Sequence, residues 1–221
     1  MSKLYIVPTP IGNLNDITLR SIEILRKVDY IICEDTRRTK ILLDYYQINN
    51  KSLVSYYSYN EKNRLPLIIK ILEKNECALV VDAGMPAISD PGYLLIKECI
   101  KRKIKIEVLP GPSAFLTALI GSGLPLDKFL FLGFLPKRGL KAYFNKYKDL
   151  EVTIIFYESP KRILNTLKIL KEVFNKGMIV LAREISKIHE EYIRFDISEI
   201  EKINFKTKGE FTVIFRKDIE M

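Results

Sequence analysis

The run Asp82-Ala-Gly-Met-Pro-Ala-Ile-Ser-Asp-Pro-Gly92, set directly behind Ala78-Leu-Val-Val81, constrains this chain more than any other stretch. An apolar, β-branched segment that stops at an aspartate and enters a Gly- and Pro-rich turn predicts a buried strand ending in a loop, with a helix opening near Tyr93. Most such connections hold about two to six residues, and this one holds about ten. Gly84 and Gly92 permit positive φ and close approach, while Pro86 and Pro91 hold φ and remove donors. The turn is stiff, and a stiff loop at a strand C-terminus favours a ligand site over an ordinary connection.

The residues before this loop repeat the same grammar. Leu4-Tyr-Ile-Val7 reads as a strand, Pro8 to Asn13 as a tight loop, and the next helix is capped by Asn15 or Asp16, with Leu19, Ile22 and Leu25 on successive turns. Asp29 to Cys33 is a second strand, delivering Glu34-Asp-Thr-Arg-Arg38 to a helix start. Asp35 or Thr36 capping that helix is the plain reading; substrate binding or proton transfer is the functional one. Leu53-Val54 leads into Ser55-Tyr-Tyr-Ser-Tyr-Asn-Glu-Lys-Asn-Arg64, where tyrosines interleaved with polar residues suit base stacking or simply a core edge; Tyr57, Asn60 and Glu61 are its candidate substrate contacts. A strand over 104–109 and the stiff loop Leu109-Pro-Gly-Pro-Ser-Ala114 follow, with Ser113 placed to cap a helix whose free amides suit an anion or carboxylate.

Strands each followed by a helix require a mainly parallel sheet with helices on both faces. The Gly121-Ser-Gly-Leu-Pro stretch ends this pattern, so an N-terminal α/β domain over 1–118 and a C-terminal domain over 119–221 are expected. The second half offers five strands, near 129–134, 151–157, 178–182, 191–195 and 210–215, among only two or three helices. A mixed α+β sheet with antiparallel pairs is expected there. Its longest helix should be capped by Ser159, carry Pro160 in its first turn, and end before Gly177.

Lys and Arg outnumber Asp and Glu by 36 to 27, a net charge of +9. The excess is concentrated in Arg37-Arg38, in 101–105, in 137–148 and in 161–171, which reads as solvated helix faces or, joined to the right chemistry, as a polyanion partner. The three cysteines, Cys33, Cys77 and Cys99, lie far apart, and with a single histidine in the chain neither a zinc site nor a disulfide framework is expected. Neither a membrane span nor an export signal is apparent, so a cytoplasmic protein with reduced thiols is expected.

Taken in order, Leu4-Tyr-Ile-Val-Pro-Thr-Pro-Ile-Gly-Asn-Leu14, Glu34-Asp-Thr-Arg37, Asp82-Ala-Gly84, Asp90-Pro-Gly-Tyr93, Leu109-Pro-Gly-Pro112, Gly133-Phe-Leu-Pro136, Phe156-Tyr-Glu-Ser159 and Ala182-Arg-Glu184 resemble the ribosomal RNA small subunit methyltransferase I family of the tetrapyrrole methylase fold. The resemblance runs from residue 4 to about residue 215. It implies a two-domain α/β enzyme, commonly a homodimer, with S-adenosylmethionine in the interdomain cleft. The implied reaction is methylation of a cytidine ribose 2′-hydroxyl in the decoding region of 16S rRNA, on the free RNA or in the 30S subunit. Position by position it assigns the cofactor to Pro8, Pro10, Ile11, Gly12, Asp82, Gly84, Met85, Pro86, Ile88, Ser113, Ala114, Phe156, Tyr157 and Ala182.

No dinucleotide fingerprint is needed, because this donor has no pyrophosphate; carbonyls, apolar contacts and a few backbone bonds suit its sulfonium and adenine. A ribose hydroxyl must also lose a proton, and Asp35, Glu34 and Glu158 are the candidate acceptors, with Lys187 a weaker one. Arg37 and Arg38 read as phosphate or ribose contacts, or as ion pairs with the neighbouring acids. The chain departs from the family pattern in having Met85 in place of the usual Thr, which points to use of the backbone there. Tyr57 and Tyr59 stand where relatives often carry histidine, and His189 lies in a polar run that reads as exposed. Many relatives also continue beyond the point where this chain stops. A small-molecule methyltransferase of the same fold and a non-catalytic RNA-binding protein are the competing readings.

Overall fold

A computed structural model describes residues 2–219, and the chain divides into two compact units between Ser113 and Ala114. The first unit holds β1 (Lys3–Ile6), α1 (Leu19–Lys27), β2 (Tyr30–Cys33), α2 (Thr36–Tyr45), β3 (Ser52–Ser55), α3 (Glu61–Leu72), β4 (Glu76–Val80), α4 (Tyr93–Lys101) and β5 (Lys105–Val108). Its strands form one parallel sheet in the order β3-β2-β4-β1-β5. Alternate side chains along each strand enter different cores. Tyr5, Val7, Ile31, Cys33, Ala78 and Val80 pack with Leu25, Leu42 and Leu43 of α1 and α2. Leu4, Ile6, Ile32, Cys77 and Leu79 pack with Ile68, Leu72, Leu95 and Cys99 of α3 and α4. Helices therefore cover both faces, as a parallel sheet requires. All three cysteines are buried free thiols.

α1 is capped by Thr18, whose side chain accepts from Ser21 N, and not by Asn15 or Asp16. Asn13 instead caps a short 3-10 turn, Leu14–Asp16, which takes up the two residues that looked like caps.

The second unit holds α5 (Ala114–Ser122), β6 (Phe129–Phe134), α6 (Leu140–Asn145), β7 (Thr153–Glu158), α7 (Ile163–Phe174), β8 (Met178–Arg183), β9 (Glu191–Asp196) and β10 (Phe211–Arg216). The sheet order is β6-β7-β10-β8-β9, parallel only between β6 and β7. Phe144, Ile163, Leu167 and Leu170 of α6 and α7 fill one core with Phe156, Leu181, Val213 and Phe215 from the sheet. α5 packs on β10, β7 and β8, and β9 secures it: Arg194 Nε donates to Ser122 O at 3.1 Å and Tyr192 Oη to Thr117 O at 3.3 Å. Those bonds tie α5 to the second unit, which accounts for a division at residue 113 instead of 118.

α7 begins three residues later than Ser159 and Pro160 suggest. Ser159 O accepts from both Arg162 N and Ile163 N, closing a turn that precedes the helix. After the helix, Gly177 adopts φ +135, and a Cβ there would fall on Arg216 O and within 2.8 Å of Lys217 Cα. Gly177→Ala combines backbone strain with a clash against backbone, so a loss of about 2–4 kcal/mol is expected. Calorimetry should show a thermal midpoint lowered by roughly 10 °C for a unit of this size.

Candidate active site

Because the first sheet is wholly parallel, the loops after its five strands leave from one edge, where open α/β sheets bind ligands. Three of these loops interlock. Thr9 N donates to Gly84 O and Gly84 N to Thr9 O, both at 3.0 Å, while Thr9 Oγ1 donates to Val81 O at 2.9 Å. Gly84 has φ +85, and a Cβ on it would sit 3.4 Å from Ile11 Cγ2 and 3.8 Å from Pro112 O. Gly111 lies so close to Pro8 that a Cβ would approach the ring carbons to 2.6 and 2.8 Å. The two stiff turns thus meet, with the 8–12 loop against both.

The 82–92 loop is held in strain. Ala87 and Ser89 take φ of 68° and 65°, and Glu61 Oε1 accepts from Gly92 N at 2.9 Å. Glu61 is therefore a clamp on this loop, and Asn60 is a local brace, its Oδ1 accepting from Tyr57 N at 2.8 Å. Met85 packs its side chain with the α3–α4 core, and its carbonyl accepts from Ile88 N at 3.3 Å within the loop.

Beside these loops a cleft of about 440 Å³ is lined by Glu34, Asp35, Thr36, Arg37, Ser55, Tyr57 and Asp82. Its carboxylates differ sharply in environment. Asp35 caps α2 by accepting from Arg37 N at 2.8 Å and takes the Arg37 guanidinium at 3.1 and 2.7 Å, which holds its pKa down at about 2. Asp82 accepts from Asp35 N at 3.1 Å and lies 3.4 Å from Arg38 Nε; burial nevertheless raises it. Glu34 is raised by burial first and by Asp82 second. Arg37 and Arg38 are thus partners of the site's own acids, while both remain largely exposed.

Asp90, absent from the candidates above, belongs to this group: burial, reinforced by Glu34 and Asp82, pushes its carboxyl up to about 7. Its signal was the Asp-Pro-Gly turn at the end of the 82–92 loop. A folded pKa above the unfolded one means the native state keeps the proton more tightly, so stability falls as pH rises from about 4 to about 7. Asp90→Asn removes that penalty. Allowing for partial solvent screening, it should add about 1–2 kcal/mol at pH 7.5 and nothing at pH 4, read as a thermal midpoint raised by a few degrees only at the higher pH.

The remaining candidates fall in the second unit. Phe156 is fully buried, its ring 5.7 Å from Phe144, so its side chain serves the core. Ala182 is buried within β8, opposite Thr212 and Tyr192. Tyr157, on β7 between β6 and β10, has the rings of Phe131 and Phe134 at 5.1 and 5.3 Å. Ala114 opens α5. Glu158 is buried, accepting from Ser159 N and Thr166 Oγ1, both at 2.7 Å, an engagement that suits bracing better than proton transfer. Lys187 is raised by Glu210 and Glu184, each at 3.0 Å, against the opposing effect of burial, and so stays a cation. His189 is exposed. Among the described residues no group of His, Cys, Asp and Glu is placed to hold a metal, and no helix is long and apolar enough to cross a membrane.

The profile of the Tetrapyrrole (Corrin/Porphyrin) Methylases matches residues 3–201, and the chain belongs to that family and, within it, to the ribosomal RNA small subunit methyltransferase I group. It is 48% identical over 221 residues to Ribosomal RNA small subunit methyltransferase I of Hydrogenobaculum sp. (strain Y04AAS1), covering 98% of this chain and 96% of the relative. To the protein of that name from Mycoplasmopsis pulmonis (strain UAB CTIP) it is 50% identical over 219 residues, covering 97% and 98%. The fold matches a crystal structure of diphthine synthase with a TM-score of 0.75 at 16% identity, over 99% of this chain and 92% of that one. The chain is a methyltransferase.

Proposed function

We propose that this enzyme transfers a methyl group from S-adenosylmethionine to small-subunit ribosomal RNA, at the 2′-hydroxyl of a cytidine in the decoding region. The observation that carries the reading is near-full-length identity of about one half to relatives named for small-subunit rRNA methylation. The reading places the enzyme in the cytoplasm, as a homodimer, with 16S rRNA or the 30S subunit as partner.

The interlocked loops fit the donor. Gly84, Ile11 Cγ2 and the Pro112 carbonyl converge, an arrangement of apolar carbon and an acceptor that suits a sulfonium and a flat purine better than a phosphate. Pro8, Pro10, Ile11, Gly12, Asp82, Gly84, Met85, Pro86, Ile88 and Ser113 would hold it from the first unit; Ala114, Phe156, Tyr157 and Ala182 are assigned by the resemblance. When bound, S-adenosylmethionine supplies an activated methyl on sulfur. The chain's own contribution is to fix the acceptor hydroxyl in line, which accounts for most of the acceleration in a displacement of this kind. Glu34 takes the hydroxyl proton: it lines the open cleft, and burial raises its basicity, whereas Asp35 is held acidic by Arg37. Tyr57 offers a ring in the same cleft for the nucleoside.

Mass mapping of ribose methylation in 16S rRNA, from cells with and without this chain, tests the reading. The cytidine mark should vanish without it. A mark that persists unchanged overturns the substrate assignment.

A further inference from the structure

The second unit carries a cationic cluster that the reading above does not use. β6 and β7 run parallel with Phe134 opposite Tyr157, so the turns that follow them leave the sheet side by side. Arg162 fastens one turn to the other. Its Nη1 donates to Leu135 O at 3.2 Å and its Nη2 to Pro136 O at 2.8 Å, with Glu158 Oε2 at 3.5 Å. Glu158, bonded to Ser159 and Thr166, is buried, so the carboxylate of this neighbourhood faces inward.

Lys137, Arg138 and Lys161 project from the two fastened turns and are exposed. Nearby Lys141 and Lys171 are matched by Glu172 and Glu201, whereas these three cations have no carboxylate partner among the described residues. Phe134, at the end of β6, is 66% exposed with its ring beside Tyr157. Cations on braced turns meet a phosphate without reordering the backbone that carries them, and an exposed ring beside them offers a face to a base.

We propose that Lys137, Arg138 and Lys161, aligned by the Arg162 strap, grip the sugar-phosphate backbone of the RNA substrate away from the nucleotide that is methylated. This rests on the rRNA reading above and adds the second unit's contact to it. Phosphate contacts carry a salt signature, with log affinity falling against log salt by about 0.7 per contact on single strands.

The test is binding of a 16S rRNA transcript to the full chain across a salt series. The variant K137A/R138A/K161A should lose on the order of 10-fold to 100-fold in affinity at low salt and about two units of slope. K137R/K161R should keep both. K101A/K103A/K105A, which removes the same charge from exposed first-unit lysines, should change the slope by less than half as much, and calorimetry with S-adenosylmethionine should show intact donor binding in all variants. An unchanged slope in the turn variant, or an equal loss in the 101–105 variant, overturns the cluster while leaving the rRNA reading in place. Salt-insensitive or absent RNA binding by the unaltered chain overturns both.

Discussion

Replacing Glu34 with Gln is expected to slow methyl transfer by about two to three orders of magnitude, while donor binding stays within about twofold of the unaltered chain. The amide keeps the size of the side chain and removes only its capacity to accept a proton. Burial raises this carboxyl above its ordinary value, so in the unaltered enzyme the rate should climb as pH rises through that raised pKa and then level. Glu34→Gln should abolish the climb. Asp35→Asn makes the contrast: Asp35 is already charged through this range, and its loss should cost the α2 cap and the Arg37 pair with a smaller effect on turnover. Single-turnover rates across pH decide it; a rate lost at Asp35 and kept at Glu34 would move the base to Asp35.

Gly111→Ala should have its largest effect on donor affinity, lowering it by about 10-fold to 100-fold, with a stability loss of about 1–3 kcal/mol. The added methyl would sit 2.6 Å from Pro8 Cγ, and Pro8 is a buried ring with no free rotor to swing aside. Relief requires the 8–12 loop to move, and its bonds to Gly84 carry that motion into the 82–92 loop. Titration calorimetry with S-adenosylmethionine reads the outcome. Unchanged affinity would show that the 8–12 loop is not a wall of the donor site.

Much of this was visible in the residues alone, because both sheets are written in β-branched and aromatic runs closed by Gly, Pro or charge. The five second-unit strands fall within two residues of their expected bounds, since alternation and turn punctuation agree there. The misjudged details depend on contacts distant in the chain. Ser159 and Pro160 look like a helix start, yet a turn closed on Ser159 O precedes the helix, and Arg162 in that turn reaches the Leu135 and Pro136 carbonyls. Gly121 and Gly123 look like a domain junction, yet Arg194 and Tyr192, about 70 residues on, bind α5 to the second sheet. In the site, local spacing revealed Glu34, Asp35 and Asp82 but not Asp90 or the order of basicity, which depends first on burial and then on how Glu34 crowds Asp82 and Asp90 of the 82–92 loop. Glu61 illustrates the same limit, since the residue it holds, Gly92, lies 31 positions away.

The 82–92 segment is moored at one end by Thr9 and at the other by Glu61, in both cases through main-chain atoms of the segment. Its contour is consequently set by main-chain bonds, and the Met85 side chain adds apolar packing to that frame. Position 61 carries a different weight: a change there, at the start of α3, would free Gly92 N and loosen the far end of the 82–92 segment from 31 residues away.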